Sequence, residues 1–188
     1  GGTTTTTDYC GNVIYENGTQ KLLLTEEGYI NLAGTQQYHY YLKDHQGNNR
    51  VVINRSGTME ETNHYYPFGG VFATAGNTQP YKYNGKELDS KKGLNWYDYG
   101  ARHYDAALGR FTTNDRFAEK YYSMSPYQYG ANSPVVNIDV NGDSIRICTE
   151  TQSFGHTWIS VGEGSNMTVY SYGRYNGTNK GQIEALIL

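Results

Sequence analysis

From residue 9 to residue 72, short aromatic runs alternate with turns centred on glycine and asparagine. YHYYL and HYYPF bracket the aliphatic run RVVINR, and Gly47 and Gly57 fall between them. Upstream, VIY and KLLL flank Asn17-Gly18. That dipeptide is a strong signal for a two-residue hairpin, whose turn needs positive φ at both central residues. The recurring unit is an aromatic strand, a turn, an aliphatic strand and another turn, with a period of roughly 20 residues, the range of strand arrays. The pattern predicts a mainly β chain, with antiparallel hairpins from about Val13 to Val71. The 20 tyrosines and 23 glycines among 188 residues point the same way. A coiled coil or helical bundle would be built from Ala, Glu, Lys and Leu instead. Period two in YHYYL puts Tyr38 and Tyr40 on one face and His39 and Tyr41 on the other. Rings spaced this way stack on neighbouring strands, the common structural use of aromatics, or form a ladder that binds sugars or bases.

Several classes are excluded. No apolar run approaches about 18 residues, so no transmembrane helix is expected. The net charge is −3 and no basic stripe interleaves with the aromatics, which argues against nucleic-acid binding. The five histidines are scattered, so no local zinc site is expected. In DVNGDSIRICTE, Asp139, Asn141, Asp143 and Glu150 imitate a calcium loop, but its glycine is misplaced and SIRIC is apolar. Neither a metal nor a cofactor is expected. Cys10 and Cys148 lack CxxC spacing, and the sequence leaves open whether they pair.

Residues 80–140 carry more charge and more Pro and Gly breaks, and read as irregular strands and loops with one short helix at Arg116–Tyr122. Beyond about residue 141, SIRICTE, HTWISVG and MTVYSYG read as fresh strands. No signal peptide or anchor opens the chain. The opening GGTTTTTDY and the closing apolar IEALIL read as cut ends, the second leaving a last domain incomplete.

YYLKDHQGNNR, NHYYPFG and the long stretch from YKYNGKELDSKKGLNWYDYGARHYDAALGRF to NIDVNGD resemble the RHS/YD-repeat-associated core of bacterial polymorphic toxins. The likeness runs from about Tyr40 to Asp143. It implies three parts: the last YD-like repeat at 1–39, the core at 40–143, and the start of a variable C-terminal effector at 144–188. In such proteins YD repeats wind as a strand spiral into a hollow shell, and the core caps it. The implied partners are the chain's own effector segment, the upstream YD repeats and an immunity protein. The implied location is secreted or at the cell surface.

The resemblance also implies a self-cleaving site of aspartic-protease type. Its residues would be Arg102 in GARHYD, Asp115 in TTNDRF and Asp139 in NIDVNGD, with the cut after Gly142. Two close carboxylates would share a proton, one acting as base toward water, while the arginine orients an ionised partner. Three positions depart from the pattern. Arg116 and Val140 stand where it has Pro after each aspartate, and Asp143 stands where it has an apolar residue. A third carboxylate would disturb the pair, so the chain is expected to stay largely uncut. The alternatives are therefore a structural cap, a self-cleaving core, or a papain-like hydrolase tail. In the last, His156 after Gly155 would be the base, but no cysteine follows it to act as nucleophile.

Overall fold

The computed structural model describes residues 4–120 and 122–143 and, beyond them, the backbone of four strands between Arg146 and Ile187. The chain divides into two compact units, residues 1–64 with 71–85 and residues 65–70 with 86–188. Its architecture is mainly β and antiparallel, as the alternation predicts.

The first unit is built on an eight-stranded meander in which each strand pairs with the next. The strands are β1 (Thr7–Cys10), β2 (Val13–Glu16), β3 (Thr19–Thr25), β4 (Gly28–Asn31), β5 (Gln37–Lys43), β6 (Asn49–Asn54), β7 (Met59–Tyr65) and β8 (Val71–Ala75). Asn17 and Gly18 turn β2 into β3 with φ of 51° and 77°, the left-handed pair the hairpin signal demands. Alternation along the strands gathers Ile14, Leu22, Tyr29 and Val52 into a buried cluster, with Leu24, Tyr41 and Tyr81 packed against it.

The faces of β5 divide as period two predicts. His39 is buried and Tyr41 half-buried, while Tyr38 and Tyr40 are exposed. Tyr29 lies directly opposite His39 across the β4–β5 pair, and their rings stack in parallel at 4.3 Å. Cross-strand stacking is thus what the inward rings do. Cys10 is an exposed free thiol on β1.

One charge is sealed inside this unit. Glu61 on β7 is 1% exposed. Its Oε1 accepts from Asn63 Nδ2 at 2.6 Å, Gln79 Nε2 at 3.1 Å and Lys82 Nζ at 2.5 Å. Its Oε2 accepts from the Thr78 N–H at 2.7 Å and the Thr78 hydroxyl at 3.2 Å. The carboxylate therefore fastens the irregular stretch 78–82 to the sheet. A buried carboxylate survives only with such compensation.

The second unit is built on rings. Four short strands, β9 (Glu87–Asp89), β10 (Trp96–Asp98), β11 (His103–Asp105) and β12 (Arg110–Phe111), form a sheet in the order β12-β11-β10-β9. Tyr97, Tyr99, Tyr104, Phe111 and Tyr129 are all buried. Tyr99 meets Tyr104, Phe111 and Tyr129 edge-on at 5.6–5.8 Å, the arrangement ring quadrupoles favour.

Their hydroxyls are spent inward. Tyr97 donates to the Gly69 carbonyl at 3.0 Å, Tyr104 to the Phe68 carbonyl at 2.8 Å, and Tyr99 to the Tyr129 hydroxyl at 3.3 Å. The first two bonds tie residues 65–70, the loop between β7 and β8, to this unit. A third sheet follows, with β13 (Asn137–Asp139), β14 (Arg146–Glu150), β15 (His156–Val161), β16 (Thr168–Gly173) and β17 (Gln182–Ile187) in sequence order.

The helix expected at Arg116–Tyr122 is not formed. Among the described residues of that segment a single 3-10 turn, Ala118–Lys120, occurs, and Tyr122 is 90% exposed. So short a segment is marginal as a helix, because the cost of nucleation exceeds what a few hydrogen bonds return. Among the described residues no helix is long and apolar enough to cross a membrane.

Candidate functional site

Arg102, Asp115 and Asp139 lie 37 residues apart along the chain at most (139 − 102) and are brought together in the second unit. Each sits just outside a strand or at its end. Arg102 closes the turn between β10 and β11, where the Tyr99 N–H bonds back to the Arg102 carbonyl at 3.1 Å. Asp115 follows β12. Its N–H donates to the Pro126 carbonyl at 2.9 Å, and its Oδ1 accepts the Phe117 N–H at 2.8 Å. Asp139 ends β13. Its Oδ1 accepts the N–H groups of Asn141 at 3.2 Å and Gly142 at 2.6 Å, an Asx turn that curls the next residues back over the site.

The Arg102 guanidinium organises the cluster. All three residues are buried, with Arg102 at 5%, Asp115 at 8% and Asp139 at 6% exposure. Arg102 Nη2 donates to Asp115 Oδ2 at 2.9 Å and lies 3.8 Å from Asp139 Oδ2. One nitrogen thus serves both carboxylates. Nη1 donates to the Pro126 carbonyl at 3.1 Å, and Nε donates to the Gly142 carbonyl at 2.6 Å. The Phe111 ring lies 3.8 Å beneath the guanidinium carbon, stacked as arginine forks prefer. Burial pushes the Arg102 pKa down; the charges of Asp115, Asp139 and Asp143, in that order, oppose it.

Gly142 has to be glycine. Its φ is +80°, and an added Cβ would lie 3.1 Å from the backbone nitrogen of Arg102 and 3.2 Å from Tyr99 Cβ. The peptide after it is therefore held close against the arginine. A second cation stands nearby. Lys86 donates to the Val140 carbonyl and lies over the Tyr99 ring at 5.1 Å. Burial lowers its pKa, against the opposing charges of Asp139 and Asp98.

Sequence reading placed the three charged residues but missed Lys86, the Pro126 carbonyl and the Phe111 ring. Backbone carbonyls have no sequence signature, and nothing about NGKE singles out its lysine. Gly142, the Gly of the NGD string, did carry a signal, because Asn-Gly favours left-handed backbone. His156 opens β15, opposite Glu150. Its side chain lies outside the described residues. No group of His, Cys, Asp and Glu suited to a metal ion occurs among the described residues.

No family model matches the chain. Among curated proteins, salivary gland surface protein 1 of Aedes aegypti is 36% identical over 119 residues, covering 61% of this chain and 3% of that protein. Among solved structures, the crystal structure of TcdB2-TccC3-TEV superposes with a TM-score of 0.63 at 21% identity, over 73% of this chain and 8% of that one. TcdB2-TccC3 without its hypervariable C-terminal region gives a TM-score of 0.60 at 20% identity, again over 73% and 8%. The Photorhabdus luminescens Tc holotoxin pore gives a TM-score of 0.61 at 20% identity, over 73% and 7%. The shared property is the fold, a mainly β architecture. The chain spans less than a tenth of the length of each of these relatives.

Proposed function

We propose that this chain is the closing part of an RHS-type toxin shell, a cap whose Arg102–Asp115–Asp139 cluster hydrolyses the Gly142–Asp143 peptide bond and so frees the segment that follows. The observation that carries the reading is Arg102 donating Nε to the Gly142 carbonyl while its Nη2 serves both carboxylates. A guanidinium on a carbonyl oxygen stabilises the negative charge that develops there when water adds. A carboxylate held on the same guanidinium takes a proton from that water.

Water's oxygen bonds to the Gly142 carbonyl carbon, and its proton passes to the carboxylate. The carboxylic acid so formed returns the proton to the Asp143 nitrogen as the C–N bond breaks. One water is consumed, leaving a Gly142 carboxyl group and an Asp143 amine. In this reading the cap's partners are the upstream strand repeats, the freed segment and an immunity protein, and the whole protein is secreted or displayed at the cell surface.

The test is the intact mass of the wild-type chain and of Asp139→Asn after prolonged incubation at mildly acidic pH. Where the sequence alone expects an uncut chain, this reading expects the wild type to split between Gly142 and Asp143 and the variant to stay whole. A wild type that stays whole overturns the cleavage and leaves the cluster as a staple of the cap.

A further inference from the structure

The bond at Gly142 is gripped from its other side as well. Arg116 Nη2 donates to Asp143 Oδ2 at 2.5 Å. Arg116 directly follows Asp115, and Asp143 directly follows Gly142, so each partner is the chain neighbour of a group already in the site. The Asp143 side chain is 11% exposed, whereas that of Arg116 is 66% exposed and lies over the Phe117 ring at 4.7 Å. These are two of the three positions that depart from the pattern the sequence resembles, and they pair with each other.

Resting on the cleavage reading above, we propose that Arg116 is a positioning residue. It holds the first residue of the released segment and takes the Asp143 carboxylate away from Arg102. The local charges support this. Asp115, Asp139 and Asp143 are matched by Arg102, Lys86 and Arg116, with Asp98 a more distant fourth acid facing Lys86. Asp143 acts on Arg102 in the same sense as Asp115 and Asp139 do. Without Arg116, one buried guanidinium would serve three acids, and its hold on Asp115 and Asp139 would weaken. An ion pair this exposed adds little to stability. Its effect falls on the charge state of the inner pair.

The test compares Arg116→Gln, Asp143→Ala and the double variant by two readouts. In an Asp139→Asn background, which the cleavage reading expects to stay whole, hydrogen exchange of the Arg102 Nε–H is followed by NMR. Arg116→Gln is expected to speed that exchange by about tenfold, as the guanidinium loosens from Asp115 and the Gly142 carbonyl. The double variant should return to the parent rate. In the otherwise wild-type chain, Arg116→Gln should slow cleavage by about tenfold, with Asp143→Ala restoring it in the double variant, a coupling only interacting sites show.

An Arg102 Nε–H exchange rate that Arg116→Gln leaves unmoved, or that the double variant fails to restore, overturns the proposal. If the wild type is never cut, the function proposed above falls, while the exchange measurement still decides the role of the Arg116–Asp143 pair.

Discussion

Each unit buries a charged cluster, and the two are built on opposite plans. In the first, Glu61 receives hydrogen bonds on both oxygens and faces one buried cation, Lys82. Every partner of the carboxylate is a donor, and charge balances one to one. In the second, Arg102 is shared between Asp115 and Asp139 and also holds two backbone carbonyls, those of Pro126 and Gly142. A balanced, saturated pair has nothing left to act with, and its work is to fasten 78–82 to the sheet. A cation spread over two acids and a backbone carbonyl is the arrangement on which the proposed cleavage rests. Acid–base work calls for that second arrangement.

The largest expected effect tests the structural plan. Glu61→Gln strands Lys82 as a buried charge and is expected to cost about 3–5 kcal/mol, read by chemical denaturation. Glu61→Gln with Lys82→Met should recover much of it. If the single variant costs less than about 1 kcal/mol, Glu61 is not the staple described.

The same group gives a pH signature. Burial works to raise the Glu61 pKa, but hydrogen bonds from Lys82 and Asn63, the Lys82 charge and the Thr78 N–H together hold it below its ordinary 4.5. A depressed folded-state pKa means the unfolded chain binds the proton more tightly. Its stability contribution is therefore whole above about 4.5 and is lost as pH falls through the lower folded value. Stability measured from pH 6 downward should show this loss, and Glu61→Gln should flatten it.

A middle-sized effect sharpens the reactive plan. Gly142→Ala puts a side chain on left-handed backbone and against Arg102, which is expected to cost about 1–3 kcal/mol. The carbonyl must then leave its place on Arg102. A displacement of about 1 Å can cost a hundredfold in rate, so cleavage should fall far more than stability does. Equal losses in both would mean the close approach serves packing alone.

The smallest effect concerns the ring cluster. Tyr104→Phe keeps the ring and loses the hydrogen bond to the Phe68 carbonyl, an expected cost of about 1 kcal/mol in thermal unfolding. A neutral result would show that the Tyr104 hydroxyl adds nothing to the hold on residues 65–70 that the Tyr97 hydroxyl and the rings provide.

Much of the fold was legible because its signals are local. The Asn17-Gly18 hairpin, the alternation through β5 and the mainly β character follow from φ preferences and period two, which act between near neighbours. The segment 116–122 was misread as helix because a few compatible residues were mistaken for a stable element. Arg102, Asp115 and Asp139 were legible through the landmarks around them, whereas Lys86 and the Arg116–Asp143 pair were not. No local pattern announces a contact across 27 residues.

What the sequence determined by itself was the strand alternation and the turns, since each depends on side chains a few positions apart; Arg102, Asp115 and Asp139 were named only through the family resemblance. Only the tertiary structure decided that one Arg102 nitrogen faces both acids, that its Nε reaches a carbonyl 40 residues away, and that Pro126 supplies an acceptor shared by Arg102 and Asp115. These depend on where the ring cluster and the Asx turn at Asp139 carry the backbone. Hydrogen bonds reach about 3 Å, so chemistry between distant residues waits on packing to set the path of the chain.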